Sequence, residues 1–173
     1  MTIALERLNT LDQSGFVAAL GGIFEGPSWI VTEAWVDRPF SAIDDLYDAL
    51  CQVMYAASNE RKVALIQAHP DLVGRAARTG TLGPASTAEQ AAAGLNELTA
   101  NEIATFERLN ADYQQRFGFP FVICARENKK ESILAGFAAR MRNTREQEIA
   151  TALDEIAKIC RLRLLDTIQP DEA

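Results

Sequence analysis

The sequence predicts an all-α fold, a single-domain bundle of about eight helices with one short extended segment near residues 119–124. Three observations carry that expectation. Apolar residues recur at intervals of three and four along nearly the whole chain. Helix-start residues of the Ser, Thr, Asp and Asn type stand before most of these stretches. Only Phe119-Pro120-Phe121-Val122-Ile123-Cys124 reads as extended, and one such run cannot make a sheet.

After Asp12, the residues Phe16, Val17, Leu20, Ile23 and Phe24 define the first strong helix, closed by Gly26-Pro27. Ser28 caps a short helix bearing Trp29 and Trp35, which ends before Pro39. Ser41 with Asp44 marks another start, followed by Ile43, Leu46, Tyr47, Leu50, Val53 and Met54. Asn59 caps the next helix, with Val63, Leu65 and Ile66 inside; Pro70 ends it by pushing its predecessor out of the helical region. Between Leu72 and Pro84 the residues Gly74, Arg75, Arg78, Gly80 and Gly83 suggest a long irregular or mobile loop. Ser86-Thr87-Ala88-Glu89 and Thr99-Ala100-Asn101-Glu102 both match the capping-box pattern. The second opens a helix through Ile103, Phe106, Leu109, Asn110, Tyr113 and Phe117, with Gly118 as its C′ residue. Ile133, Leu134, Phe137, Ala138 and Met141 define the next helix, and Arg140 near its end reads as a surface cation. Thr144-Arg145-Glu146-Gln147 starts the last helix, which aligns Ile149, Leu153, Ile156, Cys160, Arg163 and Thr167 on one face.

A chain of 173 residues with 48% hydrophobic residues is long enough to bury a core without disulfides or metal. Seventeen Lys+Arg against 24 Asp+Glu leave a net charge of -7, which argues against sequence-independent nucleic-acid binding. An anionic small molecule is still compatible, because a few arginines can gather in one cleft. No apolar run approaches the roughly 20 residues needed to span a bilayer, and MTIALERLNTLDQ does not read as a signal peptide. TIQPDEA carries neither a peroxisomal nor an ER-retention tripeptide. Cys51, Cys124 and Cys160 are far apart and outside any CxxC, so reduced thiols in a cytoplasmic protein are expected. The sole histidine, His69, makes a zinc site improbable and leaves few catalytic chemistries open.

His69 lies between a helix and a proline, where an imidazole can serve proton transfer near neutrality or simply meet the last helix carbonyls. Glu89 can close the capping box with Ser86; it also follows a glycine-rich loop where a helix N-terminus offers N–H donors to an anion. Arg163 falls on an apolar stripe and needs an anionic partner, from the protein or from a ligand. Arg161, on another face, reads as solvated. These residues define a possible acid–base site without naming a substrate.

Several segments then occur in a telling order. They are Ala68-His69-Pro70-Asp71-Leu72, Ser86-Thr87-Ala88-Glu89-Gln90, Leu109-Asn110 with Tyr113, and Phe117-Gly118-Phe119-Pro120-Phe121-Val122. Ile133-Leu134 with Phe137 and Arg140 follows, then Asn143 and Arg161-Leu162-Arg163-Leu164. Together they resemble the 2-oxo-4-hydroxy-4-carboxy-5-ureidoimidazoline (OHCU) decarboxylase family, over roughly residues 10–168. The resemblance implies an all-α, often dimeric enzyme that needs no metal or organic cofactor and completes the conversion of urate to (S)-allantoin. It implies His69 as the acid–base residue with Pro70 beside the substrate. Ser86, Thr87, Ala88, Glu89 and Gln90 would form one wall, Glu89 assisting proton transfer and Gln90 bonding a ring or ureido amide. Phe121, Val122, Ile123, Cys124 and Ala125 would form the other, and Arg163 would clamp the carboxylate. Two rivals stand beside this reading: a non-catalytic helical binding module, and a decarboxylase of a related ureido heterocycle.

Overall fold

The computed structural model describes residues 2–74 and 79–169, and these contain nine α-helices, two short 3-10 turns and two strands of two residues each. Residues 75–78, which include Arg75 and Arg78 of the expected glycine-rich loop, lie outside the described residues. No described helix is long and apolar enough to cross a membrane. The chain clusters into two units, one of residues 1–65 with 157–173 and one of residues 66–156.

In the first unit, β1 (Ile3–Ala4) pairs in parallel with β2 (Ile168–Gln169), Ile3 opposite Ile168. This small sheet had no counterpart in the sequence reading. Helix α1 (Leu5–Asn9) buries Leu5 and Leu8. Asp12 caps α2 (Gln13–Ala19) by accepting from the Gly15 N–H at 2.8 Å. That helix is shorter than its apolar spacing suggests, because it stops at Ala19, ahead of Gly21-Gly22; Leu20, Ile23 and Phe24 remain buried. Helix α3 (Trp29–Ala34) continues into a 3-10 turn, Trp35–Asp37. Helix α4 (Ile43–Ala56) buries Leu46, Leu50 and Met54. Its start is closed by Asp45 rather than Asp44: the Asp45 carboxylate accepts from the Ser41 and Ala42 N–H groups, both at 3.1 Å. At α5 (Asn59–Gln67) the cap is Ser58, whose hydroxyl accepts from the Arg61 N–H, and Asn59 is already helical.

The second unit contains α6 (Pro84–Ala92), α7 (Ala100–Phe117), a 3-10 turn at Ala125–Glu127, α8 (Lys130–Arg140) and the start of α9 (Arg145–Thr167). The expected box between Ser86 and Glu89 does not form. Pro84 takes the first helical position with Gly83 as N-cap, so Ser86 is already inside α6. Proline's fixed φ and missing N–H suit that first position, and they start the helix before the serine. The Thr99/Glu102 box does form, each side chain accepting from the other residue's N–H at 3.2 Å. Gly118, at φ 80°, ends α7 in the left-handed conformation. Thr144 and Gln147 bond reciprocally at the start of α9.

Six aromatic rings, Phe106, Tyr113, Phe117, Phe119, Phe121 and Phe137, fill the core of this unit. Phe121 and Phe137 stack with centroids 3.8 Å apart. Beside them lies a buried ionic centre that corrects the reading of Arg140 as a surface cation. Arg140 is only 8% exposed. Its Nε meets the Glu148 carboxylate at 2.9 Å, and its guanidinium lies 4.2 Å from the Phe121 ring centre. Glu148, fully buried, also accepts from the Tyr113 hydroxyl and from Asn143 Nδ2 at 2.8 Å. Burial, then the bond to Glu148, pushes the Tyr113 phenol well above its ordinary pKa, so it stays a donor. A charge pair out of water needs this density of partners to offset its desolvation.

Candidate active site

The chain leaves α5 at Gln67, and the His69 N–H bonds the Ile66 carbonyl at 3.1 Å before Pro70 prevents another helical turn. The His69 side chain is 8% exposed. With Gln67, Pro70, Asp71, Gln114 and Pro120 it lines an open pocket of about 540 Å³. The following turn is strained. Val73 has φ 54°, a left-handed conformation that a β-branched residue rarely adopts. Gly74 is required next to it, since a Cβ there would approach the Asp71 Cβ to 2.7 Å.

Two buried amides hold this turn. Gln90 accepts from the Val73 N–H at 3.0 Å and donates to the Asp71 carbonyl at 3.3 Å. Asn110 donates to the Leu72 carbonyl at 2.7 Å. Its Oδ1 has no partner among the described residues, a loss of about 1–3 kcal/mol accepted for the sake of that geometry. Gln90, expected only as a ligand contact, therefore already ties α6 to the segment that carries His69.

On α6, Ser86 and Gln90 are buried, Glu89 is half-buried, and Thr87 and Ala88 are exposed. The Thr87 hydroxyl bonds back to the Gly83 carbonyl at 3.0 Å. Burial first, then the charge of Glu127 and, more weakly, those of Glu155 and Glu89, push Cys124 up to about 11 against a lowering by the Glu127 backbone N–H. A more enclosed cavity of about 360 Å³ lies against α6, between Val73, Thr87, Gln90, Leu95 and Ile103. None of its lining residues is an acid or base, whereas the other pocket has His69 and Asp71 in its lining.

The extended run 119–124 is held by side chains instead of by a neighbouring strand. Arg140 Nη1 donates to the Val122 carbonyl at 2.6 Å, the Cys124 N–H donates to Glu155 at 2.9 Å, and Asn128 Nδ2 donates to the Cys124 carbonyl at 3.0 Å. Phe121, Val122, Cys124 and Ala125 are buried, and Ile123 is half-buried. Pro120 adjoins His69 and Pro70 at one end of this run, and Glu89 acts on Cys124 at the other.

Arg163 belongs to the first unit and is 6% exposed, as its stripe predicts. Its Nη2 meets Glu25 at 3.2 Å and its Nη1 the Gly22 carbonyl at 3.2 Å. Arg161 is the solvated neighbour, paired with Asp44 at 2.8 Å in an exposed contact. Sequence reasoning missed Arg140, Glu148, Glu155 and Asn128. A signal existed for the first: Ile133, Phe137 and Arg140 continue one buried stripe of α8.

Fold and site together define a helical protein with an imidazole, a carboxylate and an extended main-chain segment gathered in one unit, the equipment of a small-molecule acid–base enzyme. The family model for OHCU decarboxylase matches residues 9–165, and the chain belongs to that family. It is 40% identical over 164 residues to 2-oxo-4-hydroxy-4-carboxy-5-ureidoimidazoline decarboxylase of Haloferax volcanii, covering 95% of each chain. It is also 40% identical over 165 residues to the Amia calva protein of that name, covering 95% of this chain and 94% of that one. A crystal structure of (S)-allantoin synthase is similar with a TM-score of 0.79 at 27% identity, covering 99% of this chain. This chain spans 56% of that one's length.

Proposed function

We propose that this protein decarboxylates OHCU to (S)-allantoin, the last step of urate oxidation, using His69 for proton transfer with assistance from Glu89. The observation that carries the reading is the position of His69. It lies just before a strained turn and lines an open pocket with Pro120 of the extended segment, in a chain whose relatives of that name are 40% identical over nearly their full length.

The chemistry asks little of the protein. The carbon that loses CO2 bears a hydroxyl and adjoins an imine, so the ring C=N takes up the electron pair released when the C–C bond breaks. The site has to orient the carboxylate, exclude water and move protons. Arg163 is assigned the substrate carboxylate, since a guanidinium matches its geometry in two parallel bonds. Gln90, with one amide N–H beyond those already engaged, and Ser86 to Ala88 line the α6 side. The main chain of Phe121 to Ala125 faces the flat heterocycle, with Pro70 beside it. Protonation from one face by His69 gives a single enantiomer. The substrate supplies its own electron sink, so the proposal includes no metal or organic cofactor. The family resemblance further supports one domain spanning the chain and a cytoplasmic homodimer.

The test uses the fact that OHCU decays spontaneously to racemic allantoin. With the protein added to freshly generated OHCU, circular dichroism of the product should rise to one sign. His69→Asn and Glu89→Gln should each lower the enzymatic rate about 10²–10⁴-fold while helical content stays that of the parent. Racemic product at the spontaneous rate would overturn the assignment and favour a binding module.

A further inference from the structure

An extended chain points the N–H and C=O of one residue to one edge and those of the next residue to the other. In the run 119–124, the residues bonded by side chains are Val122 and Cys124, which share an edge. Ile123 lies on the opposite edge, and among the described residues nothing bonds its N–H or its carbonyl. The segment, extended but not part of a sheet, therefore has one edge covered by three side chains, while Ile123 on the other is unbonded among the described residues.

We infer that Glu155, together with Arg140 and Asn128, is a positioning residue for the substrate. It fixes the covered edge so that Ile123 offers its donor and acceptor to a planar, amide-bearing ring as a sheet edge offers them to a partner strand. This rests on the proposal that the segment is a wall of the OHCU site. The three side chains differ in what else they hold. Arg140 neutralises the fully buried Glu148, so its loss would disturb the whole core. Asn128 bonds a residue only four positions away. Glu155 reaches the segment from a distant element: it is half-buried, comes from α9, and takes the Cys124 N–H at 2.9 Å. A carboxylate accepting from a main-chain N–H makes a charge-assisted bond, stronger than a neutral one.

The experiment compares Glu155→Leu and Glu155→Gln with the parent in the OHCU assay, reading kcat, KM and the enantiomeric composition of the allantoin. Glu155→Leu should raise KM about tenfold or more with a much smaller change in kcat. It should also lower the excess of the (S) product, because a wall that shifts lets the ring present both faces. Glu155→Gln keeps an acceptor oxygen and should restore both readouts. If Glu155→Leu does not fold, Glu155→Asp, which withdraws the acceptor by one methylene, takes its place with a smaller change expected in the same direction. Parent-like KM and enantiomeric excess in a folded Glu155→Leu or Glu155→Asp variant would overturn the positioning role while leaving the reaction standing. A parent protein that yields only racemic allantoin would overturn the reaction, and the positioning role with it.

Discussion

Two arginines among the described residues are removed from water, and they are held in different ways. Arg140 lies in the second unit against a carboxylate with no exposure at all, at 2.9 Å, with a carbonyl at 2.6 Å and an aromatic face below it. Arg163 lies in the first unit, where it meets Glu25, whose side chain is 27% exposed, and the Gly22 carbonyl, each at 3.2 Å. The first is tightly fitted to the protein around it. The second meets a carboxylate that water can still reach. Equal burial therefore goes with different solvation of the partner carboxylate, 0% exposed for Glu148 and 27% for Glu25.

The largest effect should come from breaking the tighter site. Arg140→Leu leaves Glu148 charged, buried and short of its main donor, and urea unfolding should show a loss of about 3–5 kcal/mol. Arg163→Leu should lose less, because Glu25 can rehydrate. Equal losses would erase the distinction. A smaller, functional effect is expected for Arg163→Lys. That variant keeps the charge but not the planar fork, and kcat/KM should fall roughly 10–100-fold, the value of a charge-assisted bond, while the melting temperature stays near that of the parent. Near-normal turnover with a large drop in melting temperature would instead make Arg163 an internal ion pair. The smallest effect belongs to Arg161→Lys. Its exposed pairing with Asp44 should leave both turnover and unfolding indistinguishable from the parent, and a clear loss of activity there would move the clamp to Arg161.

Much of this architecture is legible in the residues. Thr99 with Glu102, Thr144 with Gln147, and Gly118 mark helix ends by local hydrogen bonding that depends on neighbours alone. Where two local signals compete the outcome is less legible: Pro84 starts α6 early and cancels the Ser86 box. Pairings between distant segments left almost no trace. The strands Ile3–Ala4 and Ile168–Gln169 are too short to carry a period. Glu148 joins donors from α7, α8 and the turn before α9, a meeting that only the tertiary fold creates. At the site, His69 stood out as the single imidazole, and Glu89 stood out through the family resemblance. The clamp on Val73 by Gln90 did not, because a left-handed valine has no signature in composition or spacing.

The Glu148 centre also bears on how this sequence can change over generations. One carboxylate satisfies donors on Tyr113, Arg140 and Asn143 at once. Losing any one donor leaves the anion under-solvated, and losing the anion strands a guanidinium in the core. Single steps away from this arrangement are therefore steep descents, whereas replacing the whole set by apolar residues of similar volume can be level ground. These four positions should drift together or not at all, and a designer wishing to alter the wall above them would do better to redraw the group than to edit one member.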